Sequence, residues 1–123
     1  MDDFKNKTIL LVEDEAANAL LVKMVLNKSG INILHAKDGL EAINLYEKNK
    51  DAIKLILLDI SIPILNGYEV CDKIREYNKR IPIIAFSANS DNKEYYYNKG
   101  FNGFIEKPFN IKTFINQINI YLN

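Results

Sequence analysis

Apolar residues along this chain fall into five short runs, each followed by a stretch in which apolar positions recur at helical spacing. Thr8–Val12 (TILLV) is the first run. It is too continuous for a strand with one buried face, and it stops abruptly at Glu13-Asp14-Glu15. Ala16–Lys28 then reads as a helix, with Ala17, Leu21, Met24, Val25 and Lys28 near one face and Ser29-Gly30 closing it. Ile31–Ala36 predicts a second, weaker strand. Asp38 is a suitable N-cap with Glu41 three residues later, a capping-box spacing, so Leu40–Asn49 reads as the second helix.

Ile53–Leu58 (IKLILL) is the most apolar run, as expected of a sheet centre, and it leads directly into Asp59. A loop with Pro63 and Asn66-Gly67 follows, and then a helix over about Tyr68–Asn78. Ile81–Phe86 is the fourth strand, with Pro82 at its start where a missing backbone donor is tolerable. Asn89–Lys99 predicts a short polar helix ending at Gly100, and Gly103–Ile105 a brief fifth strand. Asn110 caps the last helix, whose Ile111, Phe114, Ile115, Ile118 and Leu122 trace an inward stripe. Strand and helix alternating five times predict an α/β fold: a doubly wound, five-stranded parallel sheet covered on both faces, in one domain over residues 1–123. Ligands gather at the carboxyl ends of such strands. Glu13 and Asp14, Asp59, Ser87 and Lys107 all fall at those ends.

Composition then removes several classes of function. Lys and Arg number 16, Asp and Glu 16, and no basic block exceeds two residues, which excludes a strongly basic nucleic-acid binder. Cys71 is the only cysteine and His35 the only histidine. Intrachain disulfides, cysteine-based zinc sites and paired-histidine metal sites are thereby excluded. Cys71 is expected to be a buried or half-buried thiol rather than a redox site, and His35, at the end of the second strand, a surface or edge residue rather than a catalyst. No apolar run approaches the roughly 20 residues needed to span a membrane, and the N-terminus lacks a secretory pattern, so a cytoplasmic setting is expected.

The charge that cancels over the whole chain does not cancel locally. Where the first and third strands neighbour each other, as a doubly wound order allows, Glu13, Asp14 and Asp59 converge and repel one another, and a positive partner should offset that repulsion. A hard divalent cation fits such oxygens, Mg²⁺ above all, and Lys107 can add a direct ion pair with Asp59.

ILLVEDE (Ile9–Glu15), LLDISIPILNG (Leu57–Gly67), FSA (Phe86–Ala88) and GFIEKPF (Gly103–Phe109) together resemble a receiver domain of two-component signalling, from Thr8 to Leu122. The resemblance implies the flavodoxin-like strand order 2-1-3-4-5. It implies that Asp59 is the phosphoacceptor, taking a phosphoryl group from a histidine kinase or histidine phosphotransfer domain. It further implies that Glu13, Asp14, Asp59 and the Ser61 backbone carbonyl hold Mg²⁺, for which Mn²⁺ can substitute, and that Lys107 and Ser87 contact phosphoryl oxygens. Ser87 and Phe104 match the family's switch pair, which alters the surface formed by helix 4, strand 5 and helix 5. Pro108 matches the family's cis proline, and Ser61 and Asn89 match positions that tune acyl-phosphate lifetime, which small Ser61 should leave moderate. Such a domain is not a conventional enzyme, although it catalyses its own phosphorylation and hydrolysis.

VEDEAAN, with Asn18, leans toward receivers fused to sensor histidine kinases. No nucleic-acid or membrane contact is expected of the domain itself, and a phosphorylation-dependent dimer is a candidate assembly. Ser87 and Lys107 stand only 20 residues apart, so the fourth helix or its leading loop should be trimmed. Tyr95, Tyr96 and Tyr97 span most of a helical turn, so at least one should be exposed. The alternative reading is a receiver fold that no longer takes phosphate and serves as an interaction module. Loss of Asp59, Lys107 or the acidic pair would favour it, and all are present. A flavin carrier is disfavoured, because Glu13-Asp14-Glu15 occupies the turn that would have to cradle phosphate.

Overall fold

Thr8–Val12 (β1), Asn32–Ala36 (β2), Ile53–Asp59 (β3), Ile83–Ser87 (β4) and Gly103–Glu106 (β5) form one parallel sheet in the computed structural model, which describes residues 6–88 and 93–122. The strand order is β2-β1-β3-β4-β5, as expected. The helices are Ala16–Asn27 (α1), Gly39–Asn49 (α2), Gly67–Tyr77 (α3), Lys93–Asn98 (α4) and Ile111–Leu122 (α5). The order reverses at β1, which pairs with β2 on one side and β3 on the other, and a crevice opens beyond the carboxyl ends of those strands.

Alternation along the central strands splits the core in two. Leu10, Val12, Ile56, Leu58, Ile83 and Ala85 face a cluster completed by α2, α3 and α4. Ile9, Leu11, Leu55, Leu57, Ile84 and Phe86 face the other, completed by α1 and α5. Both faces of β3 are therefore covered, which is why its sequence reads as a continuous apolar run.

Several boundaries and faces depart from the sequence expectation. In α1 the buried residues are Ala19, Val22, Val25 and Leu26, while Leu21 and Met24 are exposed. AANALLVKMVLN is apolar nearly all round, so periodicity could not choose the face; the chain's exit from β1 does. In α5, Phe114, Ile118 and Leu122 are buried and Ile115 is half-buried, but Ile111, in the first turn, stays exposed. Strand β4 begins after Pro82, whose carbonyl accepts from the Ile56 N–H (2.9 Å) although its nitrogen has nothing to donate.

The caps also differ in detail. Asp38 accepts from the Glu41 N–H at 2.8 Å, but the Glu41 carboxylate takes the Lys37 N–H rather than that of the cap itself. The reciprocal capping box lies instead at α3, between Asn66 and Glu69. Gly67 opens that helix where a Cβ would stand 2.8 Å from the Asp59 carbonyl oxygen and 2.7 Å from the Ile60 Cα. A bare backbone there lets α3 start close beneath the end of β3.

Among the described residues α4 spans Lys93–Asn98, and the expected start at Asn89 lies outside them. Tyr96 points inward while Tyr95 and Tyr97 are exposed. Cys71 is fully buried, and its thiol is pushed up to about 11 by burial.

Candidate functional site

Asp59 is the last residue of β3 and pairs in register with Phe86 of β4. Its side chain is nearly buried, yet one carboxylate oxygen is held on each side. Oδ1 accepts from the Ser61 N–H (3.0 Å), and Oδ2 accepts from the Lys107 ammonium (2.8 Å). Ser61 itself is exposed. The expected Lys107–Asp59 ion pair is thus present.

Lys107 makes a second ion pair, with Glu13 Oε1 at 2.8 Å, which the sequence reading did not anticipate. The Lys107 N–H donates to the Ser87 carbonyl (2.8 Å), extending the β4–β5 ladder by one step, and the Lys107-Pro108 peptide bond is cis. The ammonium then lies 5.0 Å from the centre of the Phe86 ring, a cation–π contact that also shields it from water. Phe86 belongs to the FSA motif, but nothing in its sequence context marked this second use.

Glu13 follows β1 and is 1% exposed. Burial raises its carboxyl above the usual range, opposed by the hydrogen bonds from Lys107 and from the Glu15 N–H. For Lys107, burial acts to lower the ammonium; the hydrogen bonds to Asp59 and Glu13 outweigh it, and the balance is upward. Asp14, next in sequence, is exposed to solvent. One carboxylate oxygen from each of Glu13, Asp14 and Asp59 lies within 4.8 Å of the others. Three hard anionic oxygens at that spacing fit a divalent cation of the Mg²⁺ type, and a single lysine does not neutralise all three.

The remaining expected residues divide. Ser87 ends β4, half-buried, in register with Glu106. Phe104 lies apart from the carboxylates, buried in the α2–α3–α4 face, and stacks on Tyr96 at 5.0 Å. Tyr96 in turn contacts Tyr68 and Phe101. Asn89 lies outside the described residues. His35 is on the edge strand as expected, but its Nε2 lies 2.8 Å from the Glu13 carbonyl oxygen, a contact no local pattern revealed.

The sequence profile of the response regulator receiver domain matches residues 9–119. The chain belongs to that family. Among curated relatives, this receiver is 32% identical over 120 residues to the autoinducer 1 sensor kinase/phosphatase LuxN of Vibrio campbellii, covering 97% of this chain and 14% of that protein. The chain thus spans a small part of that relative's length. Among solved structures, the receiver domain of the sensor histidine kinase PA1611 from Pseudomonas aeruginosa, described with magnesium coordinated in its active-site cleft, is similar at 29% identity. The TM-score is 0.85, covering 95% of this chain and 98% of that one. The receiver domain of Ssk1, solved with the Saccharomyces cerevisiae phosphotransfer protein Ypd1, is similar at 26% identity and TM-score 0.87, covering 98% of this receiver and 91% of the matched chain.

Proposed function

We propose that this receiver accepts a phosphoryl group on Asp59 from a phosphohistidine of a histidine kinase or histidine phosphotransfer protein. The observation that carries the reading is the environment of Asp59: a carboxylate at a strand end, ion-paired with Lys107 and clustered with Glu13 and Asp14. An Asp59 oxygen attacks phosphorus, the P–N bond of the donor breaks, and the donor imidazole leaves with the bonding electron pair. The product is an acyl phosphate on Asp59.

Attack converts the Asp59 carboxylate into a mixed carboxylic–phosphoric anhydride and moves negative charge onto the phosphoryl oxygens. Lys107 follows that charge over a short distance, because Glu13 keeps its ammonium anchored while the Asp59 contact is exchanged for a phosphoryl oxygen. The Ser87 hydroxyl takes another phosphoryl oxygen from the end of β4. Glu13, Asp14, Asp59 and the Ser61 carbonyl would hold Mg²⁺. Neutralisation of charge on the equatorial phosphoryl oxygens is the chemistry that ion supplies when bound.

Output then passes through Ser87 and Phe104 to the surface of α4, β5 and α5. Because Phe104 is stacked on Tyr96, a change at Phe104 moves α4 with it. The partner reading draws support from the Ypd1–Ssk1 complex, and the reading as the receiver part of a hybrid kinase from the LuxN relationship.

Incubation with Mg²⁺ and a small phosphodonor, followed by intact mass, tests the chemistry. A gain of one phosphoryl group, about 80 Da, absent in Asp59→Asn and absent with chelator, is expected. No gain from either a small donor or a competent phosphohistidine protein would overturn the proposal.

A further inference from the structure

We propose that His35 is a positioning residue for the acidic pair, setting the direction of Glu13 and Asp14 through the Glu13 carbonyl. The inference rests on the metal-assisted phosphoacceptor reading above, and concerns a residue that reading does not use.

Glu13 is clamped at four atoms. Its N–H donates to the Ala36 carbonyl (3.0 Å), Oε1 accepts from Lys107 (2.8 Å), and Oε2 accepts from the Glu15 N–H (3.1 Å). The fourth atom is its main-chain oxygen, 2.8 Å from His35 Nε2. A carbonyl can only accept, so Nε2 carries the proton and donates it. The pairing of β1 with β2 ends at Val12 and Ala36, and the imidazole takes over where the ladder stops. His35 reaches the spot because it sits in register with Leu11, on the same face of β2 as Ile33, which packs against the cluster under α1 and α5. The β1–α1 turn leaves the sheet on that side.

The consequence lies in the peptide plane. The Glu13 C=O and the N–Cα of Asp14 belong to one rigid unit, so fixing the oxygen fixes where Asp14 begins. Asp14 is exposed and has no buried environment to orient it. The His35 bond therefore sets the spacing between the Asp14 carboxylate and those of Glu13 and Asp59. Removing it leaves the Glu13 carbonyl to water and lets the peptide plane tilt. The fold itself is carried by the two apolar clusters and does not depend on this contact.

Calorimetric titration of the full chain with Mg²⁺ tests this on the wild type and on His35→Leu, His35→Asn and His35→Gln. Glutamine places an amide N–H where Nε2 stands, whereas asparagine reaches only as far as Nδ1. His35→Leu and His35→Asn are expected to weaken Mg²⁺ binding roughly tenfold, as loss of an outer-shell hydrogen bond does, and His35→Gln to keep wild-type affinity. The amide resonances of Asp14 and Glu15 should shift in the same two variants before any Mg²⁺ is added. Equal affinity in all four proteins would overturn the inference alone, as would a loss in His35→Gln as large as in His35→Leu. Should His35→Leu fail to fold, the asparagine–glutamine pair decides by itself. Absence of Mg²⁺ binding by the wild type would overturn the phosphoacceptor reading and this inference with it.

Discussion

Two nearly buried carboxylates share one ammonium at this site, and that arrangement fixes what each side chain is worth. Lys107→Met removes the only cation that the described residues place between Glu13 and Asp59. The two carboxylates are then left close together and unpaired, and the folded state should lose about 1–3 kcal/mol. Urea unfolding in chelator should show that loss, and saturating Mg²⁺ should recover part of it. Unchanged stability would mean that water already screens the pair.

Away from the site, Cys71 makes stability depend on pH. Its thiol is buried, donates weakly to the Lys99 carbonyl, and is held up to about 11 from an ordinary value of 9.0. The unfolded chain therefore ionises first as pH rises, and stability present below about pH 9 drains away up to about pH 11. Across that window wild type should lose about 2 kcal/mol more than Cys71→Ala. Parallel unfolding curves for the two proteins would contradict this.

At the scale of elements, α3 anchors both the site and the segment that carries α4. Gly67 lets the helix start against the end of β3, so Gly67→Ala should force the Asp59–Ile60 peptide away from the start of the helix. The expected outcome is slower phosphorylation along with lower stability. At the other end, Arg75 donates to the carbonyls of Gly100, Asn78 and Ile81 and to the Asn102 side chain. It thereby ties the chain after α4 to α3 and to the approach of β4. Arg75→Met leaves those partly buried carbonyls without their donor and should cost about 2–4 kcal/mol by urea unfolding. Arg75→Lys should rescue little, because a point charge cannot span the fork.

The elements themselves were legible from the sequence, because Ile53–Leu58 and the stripe at Phe114, Ile118 and Leu122 have one reading each. The buried face of α1 was not, since Leu20, Leu21 and Met24 are as apolar as the residues that pack; contact with the sheet, absent from the sequence, decides between them. Arg75 was equally silent. Three of its five hydrogen bonds reach Gly100 and Asn102, 25 and 27 residues away, and a lone arginine on a polar helix face looks like any other.

Over the whole molecule, equal numbers of acidic and basic residues conceal a gathering of like charge. Residues 1–62 hold 10 acidic and 8 basic side chains, and residues 63–123 hold 6 and 8. The fold brings Glu13, Asp14 and Asp59 together from the first half and sets Lys107 among them from the second. The strand-end positions of these residues were visible in the sequence because a parallel sheet puts all its carboxyl ends on one side. The sharing of Lys107 and the His35 brace were not, because both depend on side-chain reach across strands.

One reaction bears on all of this at once: borohydride trapping of the acyl phosphate after exposure to Mg²⁺ and a phosphodonor, followed by peptide mapping. Reduction converts a phosphorylated aspartate to homoserine. The expected result is homoserine at position 59 alone, only with both Mg²⁺ and donor. Reduction at position 14, or no reduced residue in a protein that binds Mg²⁺ and meets a competent phosphohistidine donor, would contradict the assignment of Asp59 as the phosphoacceptor.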